Sequence, residues 1–216
     1  LRILGLDSAT NVASVAVVED EKLLAEMTFN TQKTHSQRLM PMLAWMLKET
    51  QLELEDLDGL AVAVGPGSFT GLRIGLATIK ALAYVHDLPI LAVPTLDGLA
   101  ANLEGTQGLV CPILNARKGE VYAALYRWNG SYQEKIQGYW AISPEELIVR
   151  LASYQEPITF VGDGIPIYGE QLLRELPQGR LAAGTHSLCR ASQIARLGLK
   201  KLLAGEVSDY FTLEPF

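Results

Sequence analysis

Each half of this chain passes through the same order of patterns: three strand-like runs close together, then helical and strand periodicities in alternation. In the first half Ile3–Leu6 is a short apolar run and Ala13–Val18 is apolar and β-branched. Lys22–Phe29 follows the acidic turn Glu19-Asp20-Glu21. A helical pattern over Ser36–Thr50 leads to an apolar run at Gly59–Val64, which Gly65-Pro66-Gly67-Ser68 breaks. Gly71–His86 then predicts a helix, Ile90–Val93 a strand and Thr95–Leu103 a helix. The second half restarts with Leu109–Leu114, Glu120–Trp128, a hairpin turn at Asn129-Gly130 and Tyr132–Ile142. Helical patterns at Pro144–Ser153, Tyr168–Glu175 and Ala191–Leu203 follow, with a strand at Ile158–Val161.

A meander followed by β/α alternation, met twice, predicts an α/β protein built by internal duplication of a ribonuclease-H-like unit. The boundary is expected near Glu104–Gly108, giving domains 1–104 and 105–216. The 216 residues suffice for two small lobes, each with a core, and a hydrophobic content of 49% is globular. No apolar run reaches the ~20 residues that span a bilayer. The opening Leu1–Asp7 reads as a strand rather than a secretory leader. Two cysteines, Cys111 and Cys189, are too few for a disulfide framework, and the expected location is the cytoplasm.

Charge bears on partners. The net charge is −6, and residues 1–104 carry all of it, with seven basic against 13 acidic residues. A protein that holds a nucleic-acid backbone by itself draws its affinity from a cationic face. Neither half has a basic excess, so unaided nucleic-acid binding is not expected.

Several short segments carry groups capable of chemistry. Asp7-Ser8-Ala9-Thr10 closes an apolar strand, where a carboxylate and hydroxyls can hold a cation or a phosphate; the same residues also shape turns by bonding to their own backbone. The block Gly65–Gly75 follows a strand and opens a helix, so amides near Gly65, Gly67 and Ser68 can face an anion. Its G-x-G-x-x-x-G spacing is one residue longer than the dinucleotide fingerprint, and it lacks the Gly-Lys-Ser/Thr end of a P-loop. Ser68 and Thr70 are equally suited to cap the helix. Asn115–Glu120 reads as a turn whose adjacent cations Arg117 and Lys118 either meet solvent or touch an anion, and Gly162-Asp163-Gly164 ends a later strand. His35, His86 and His186 are too scattered for a zinc motif, and no G-x-S-x-G elbow occurs.

Two helices are unusual. Over Ser36–Thr50, Leu39, Leu43, Met46 and Leu47 form a core stripe, while Met40, Met42, Ala44 and Trp45 cover most of what remains. An all-round apolar helix needs burial on more than one side, by the rest of the chain or by a partner. Pro41 is expected to kink it. In the following helix Gly71, Gly75 and Thr78 share a face, and each internal glycine costs ~1 kcal/mol relative to alanine. Close approach of another backbone is the usual reason, from the chain's own sheet or from another protein.

Together, Leu6-Asp7-Ser8-Ala9-Thr10, His35–Pro41, Gly65–Gly75 and Arg117-Lys118-Gly119-Glu120-Val121-Tyr122 resemble the TsaB (YeaZ) family. The glycine block is the most specific of these. The likeness runs from about Ile3 to Tyr126; beyond it only Gly162-Asp163-Gly164 and the tail Tyr210–Phe216 are in keeping. Chains of the family continue past a proline to Tyr-x-Arg, so further residues after Phe216 are expected. Asn115 departs from an expected Asp, which weakens any cation contact there.

The resemblance implies an actin-like fold of the sugar-kinase/Hsp70 type. It also implies a non-catalytic role in making threonylcarbamoyladenosine beside the tRNA anticodon. The partners implied are a TsaD-like paralogue that carries the metal and a TsaE-like ATPase. tRNA is met only through the complex, which uses ATP; this chain requires no cofactor of its own, holds no metal and pairs with itself when alone. TsaD-like relatives hold metal through H-x-x-x-H, where this chain has Thr95 and Leu99. The pairing surface implied comprises His35, Arg38, Leu39, Met42, Leu43 and Met46 of one helix, with Gly71, Leu72, Gly75, Leu76 and Ile79 of the other. Two other classes remain open: an ATP-binding phosphotransferase or ATPase centred on Asp7, and a metallopeptidase-like glycoprotease, against which the missing histidine pair argues.

Overall fold

The computed structural model describes residues 1–31, 33–130 and 133–216. The chain opens with the meander β1 (Arg2–Asp7), β2 (Val12–Glu19) and β3 (Lys22–Asn30). It continues through α1 (His35–Thr50), β4 (Gly59–Ala63), α2 (Phe69–His86), β5 (Ile90–Val93) and α3 (Thr95–Ala101). β1 pairs antiparallel with β2 and parallel with β4, giving the order β3-β2-β1-β4-β5. The pattern then repeats as β6 (Leu109–Arg117), β7 (Glu120–Trp128), β8 (Gln133–Ile142), α4 (Pro144–Leu151), β9 (Ile158–Val161), α5 (Ile165–Glu175) and β10 (Gly179–Leu181). The second sheet has the order β10-β9-β6-β7-β8, with β6 antiparallel to β7 and parallel to β9. A shared topology is what the duplicated pattern predicts, with β10 as a fifth strand beyond the four expected in the second half.

The last helix, α6 (Ala191–Leu203), departs from the expected division. One unit comprises Leu1–Gly98 with Cys189–Phe216, and the other Leu99–Leu188, in place of 1–104 and 105–216. The reason is the apolar stripe of α6. Ile194, Ala195 and Leu199 pack with Ile3, Ala61 and Leu91 on one face of the first sheet. The opposite face carries Leu4, Leu6, Val15 and Val62 against α1 and α2. β1 is thus covered on both sides, which is why it reads as a continuous apolar run rather than an alternating one. Gly5 permits the close approach of α6, since a Cβ there would lie 2.3 Å from the Ala191 carbonyl oxygen. In the second unit Leu109, Cys111 and Ile113 pack with Leu147, Leu151 and Leu172 of α4 and α5.

Most boundaries lie within two residues of expectation, and the exceptions have local causes. α5 begins at Ile165 rather than Tyr168, with Pro166 in its first turn, where a missing N–H costs nothing. β6 runs on to Arg117, which narrows the expected Asn115–Glu120 turn to Lys118-Gly119. β10 is an addition to the expected elements, because Gly-Arg-Leu has no periodicity to read. Tyr132, the expected start of β8, lies outside the described residues. α1 is continuous through Pro41, which lies on its exposed side. Cys111 and Cys189 are free and buried. Among the described residues no helix is long and apolar enough to cross a membrane.

Candidate functional site

The polar residues at the end of β1 are committed to their own chain. Asp7 is buried, and its Oδ1 accepts from the Ala9 N–H at 2.9 Å. Burial pushes its carboxyl up to about 6, opposed by that hydrogen bond. Ser8 Oγ donates to the Gly71 carbonyl at 2.9 Å, and Thr10 Oγ1 accepts from the Val12 N–H at 3.2 Å.

The glycine block is packed rather than open. Ser68 N–H donates to the Ala9 carbonyl, and a Cβ on Gly67 would lie 2.3 Å from that same oxygen. Gly65, at φ 122°, lies against the backbone of Phe216, and its carbonyl accepts from the Thr95 N–H. Ser68 Oγ caps α2 by accepting from Gly71 N–H at 3.3 Å, whereas Thr70 is exposed and forms no cap. The glycines therefore let the turn and the β1–β2 connection touch.

Arg117 and Lys118 lie in the second unit, at the β6–β7 hairpin, both with positive φ. There Asn115 Oδ1 accepts from Arg117 N–H, and Asn115 N–H donates to Asp163 Oδ1 at 2.9 Å. Burial raises the Asp163 carboxyl from its ordinary range. The side-chain oxygen at position 115 thus serves the turn itself. Among the described residues no three His, Cys, Asp or Glu side chains cluster as a metal site. Thr95 and Leu99 are both buried on α3.

On α1 and α2, most residues nominated for pairing face inward. Leu39, Met42, Leu43 and Met46 of α1 and Leu76 and Ile79 of α2 belong to the core beneath the helices, Met46 and Ile79 at 0% exposure. Leu72 packs in the cluster shared with α6. A Cβ on Gly71 would lie 2.1 Å from the Ser8 carbonyl oxygen, and one on Gly75 2.2 Å from Ser8 Oγ. The backbone approach that the glycines signalled is thus to the chain's own sheet. Arg38 is 7% exposed and clamps three segments, donating to the carbonyls of Asn11 and Phe29 and to Thr31 Oγ1, each at 3.2 Å. His35 Nε2 bonds the Thr10 carbonyl at 2.8 Å, and burial holds its imidazole below the ordinary histidine range.

The outward faces carry a different set. Met40, Pro41, Ala44 and Trp45 are exposed on α1, with Met40 at 53% and Trp45 at 50%. On α2 the exposed residues include Phe69 at 65%, Arg73, Ala77, Ala81 and Tyr84 at 67%. The two helices pack side by side on one face of the sheet, so these residues extend a surface poor in charge. The circumference of α1 marks Met40, Ala44 and Trp45 correctly, but places Met42 on the same side. The α2 residues escape a sequence reading because alanines at this spacing look like core; the signal is Phe69, Ala77, Ala81 and Tyr84 opposite the glycine face.

The tail completes this side of the unit. Ser208 N–H donates to the Ile90 carbonyl, Tyr210 stacks edge-on to Tyr84 with centroids 5.8 Å apart, and Phe216 N–H donates to the Val64 carbonyl. Between tail and α2 lies a groove of about 320 Å³. Phe69, Arg73, Ala77 and Lys80 form one wall, and Leu213 and Pro215 the other.

Comparison with known proteins gives a consistent result. The profile of the family described as "TsaD: tRNA N6-adenosine threonylcarbamoyltransferase" matches residues 22–207. A protein of Bacillus subtilis named tRNA threonylcarbamoyladenosine biosynthesis protein TsaB is 32% identical over 99% of this chain and 95% of its own length. The Escherichia coli protein of that name is 34% identical over 76% of this chain and 72% of its own length. Among solved structures, YeaZ from Pseudomonas aeruginosa superposes with TM-score 0.86 at 28% identity, over 100% of this chain and 98% of that one. A ROK hexokinase from Thermus thermophilus, at TM-score 0.57 and 12% identity over 95% of this chain and all of that one, shares the fold alone.

Proposed function

Since the chain belongs to the TsaB (YeaZ) proteins of the TsaD family and so has a role in tRNA threonylcarbamoyladenosine biosynthesis, we propose that it acts there as a non-catalytic subunit that pairs with the TsaD-like transferase. The observation that carries this reading is the outward face of α1 and α2. Met40, Ala44 and Trp45 on one helix and Ala77, Ala81 and Tyr84 on the other are exposed. Burying them against a partner removes apolar area from water at ~25 cal/mol per Å². The small alanines allow another helix to approach closely. A second copy of the chain can occupy the same face when the transferase is absent.

The division of labour rests on Thr95 and Leu99, which by the family resemblance correspond to the metal-binding pair of the transferase-like relatives. Neither side chain supplies an imidazole. In this reading the metal stays with the transferase, ATP is used by the complex through a TsaE-like ATPase, and the chain works in the cytoplasm without a cofactor of its own. With a net charge of −6, it meets tRNA only within the complex. An ATP-binding reading would turn on Asp7, whose Oδ1 accepts the Ala9 N–H inside the first unit.

Light scattering coupled to size-exclusion chromatography tests the pairing, on this protein alone and mixed with its transferase paralogue. A heterocomplex that forms at the expense of any self-dimer, and that Trp45→Glu together with Ala77→Glu abolishes, supports the proposal. Unchanged affinity in the folded double variant overturns the assigned face.

A further inference from the structure

The groove between α2 and the tail has a character that the rest of the outward face lacks. Arg73 is exposed, and its guanidinium lies 3.8 Å from the centre of the Phe69 ring, which holds it over the groove's edge. Lys80 follows two helical turns later, about 10 Å along the axis at 1.5 Å per residue. Leu76 and Ala77 lie between them. Among the described residues, neither cation has a carboxylate within ion-pair distance. The tail's Asp209, whose Oδ1 accepts from the N–H groups of Phe211 and Thr212 at 2.9 Å each, keeps its charge and senses Lys80 from the tail side without forming an ion pair with it. Two cations flanking an apolar floor, in a lobe whose overall balance is acidic, form a complement to a specific ligand rather than a general anion surface.

We propose that this groove receives an acidic segment of the transferase partner, in which two carboxylates about 10 Å apart flank an apolar side chain. The cation spacing fits carboxylates seven residues apart on one face of a helix, at about 1.5 Å each, with an apolar residue one turn from either. The apolar group between them then meets Leu76 and Ala77, and the tail residues Leu213 and Pro215 form the far wall. Glu214, also on the tail, is exposed and shares the ligand's sign, so the carboxylates face α2. This inference rests on the pairing proposed above and names the chemistry by which part of that surface selects its partner.

The test uses the full chain and the purified transferase. Affinity is measured by titration calorimetry at several salt concentrations, for wild type and for the Arg73→Ala/Lys80→Ala double variant. Expected is a tenfold or greater loss of affinity at low salt and a flatter salt dependence, with thermal stability retained because both side chains lie at the surface. Zero-length carbodiimide coupling should join Lys80 to an aspartate or glutamate of the partner, and mass spectrometry then locates that segment. Wild-type affinity and salt dependence in the variant overturn the groove while leaving the pairing intact. Absence of any wild-type complex overturns both.

Discussion

Arg190 and Glu26 are 164 residues apart in sequence, yet two guanidinium nitrogens of Arg190 reach one carboxylate oxygen of Glu26, Nε at 3.0 Å. The other Glu26 oxygen accepts from Ser192 N–H at 3.0 Å and Ser192 Oγ at 2.7 Å. Beside it, Ser14 Oγ accepts from Ala191 N–H. The first turn of α6 is thereby satisfied by the sheet it packs upon, where no side chain of its own caps it. Glu26→Ala should lower stability by about 2–3 kcal/mol in urea unfolding, because it strands backbone and guanidinium donors together. A double-mutant cycle with Arg190→Ala should show coupling rather than additivity.

Substitutions on α1 should separate fold from pairing. Met46 is 0% exposed, so Met46→Asp should prevent folding and reveal nothing about a partner. Even Met46→Ala should cost about 2–5 kcal/mol. Trp45→Glu, one residue earlier and half exposed, should leave the melting temperature within a few degrees and remove the heterocomplex in the chromatographic assay.

Glycine-to-alanine exchange in α2 decides between propensity and space. Alanine gains ~1 kcal/mol of helix propensity. At Gly71 the new Cβ would lie 2.1 Å from a backbone oxygen of Ser8, which cannot rotate away. Overpacking of ~1–3 kcal/mol should win, so Gly71→Ala should destabilise in thermal unfolding despite the better helix former.

Asp7 predicts a pH signature of definite sign. Its native carboxyl titrates near 6, against 3.8 for an ordinary aspartate, so the folded chain holds the proton more tightly. Between these values the native protein binds more protons than the unfolded chain, and stability falls as pH rises from about 4 to 6. The full contribution is roughly 3 kcal/mol. Asp7→Asn keeps an acceptor for the Ala9 N–H and removes the titration. Its stability relative to wild type should rise across that window and level off above it, as read by denaturant unfolding at fixed pH steps.

The fold was legible because its signals are local and repeated. The meander, the alternation and the glycine breaks each depend on a few adjacent residues, and both halves carry them. The sheet on which α6 packs was not legible, since its stripe of Ile194, Ala195 and Leu199 fits any apolar face. The candidate surface was legible in part. A wheel of α1 marks Met40 and Trp45 as surplus to one core stripe, but only the direction of the sheet separates Met42 from them. On α2 the glycines drew attention to a face that meets Ser8, and the outward alanines carry no comparable signal.

The return of the last helix makes the first lobe a discontinuous folding unit. Its sheet is complete in sequence by Val93, but the cover for one face arrives only with residues 191–203, after the entire second lobe has been synthesised. During translation, Ile3, Ala61 and Leu91 therefore wait with one side unburied. The first strands and α6 must find each other across that whole intervening lobe before the first lobe is finished, so its completion is sensitive to loss of either segment.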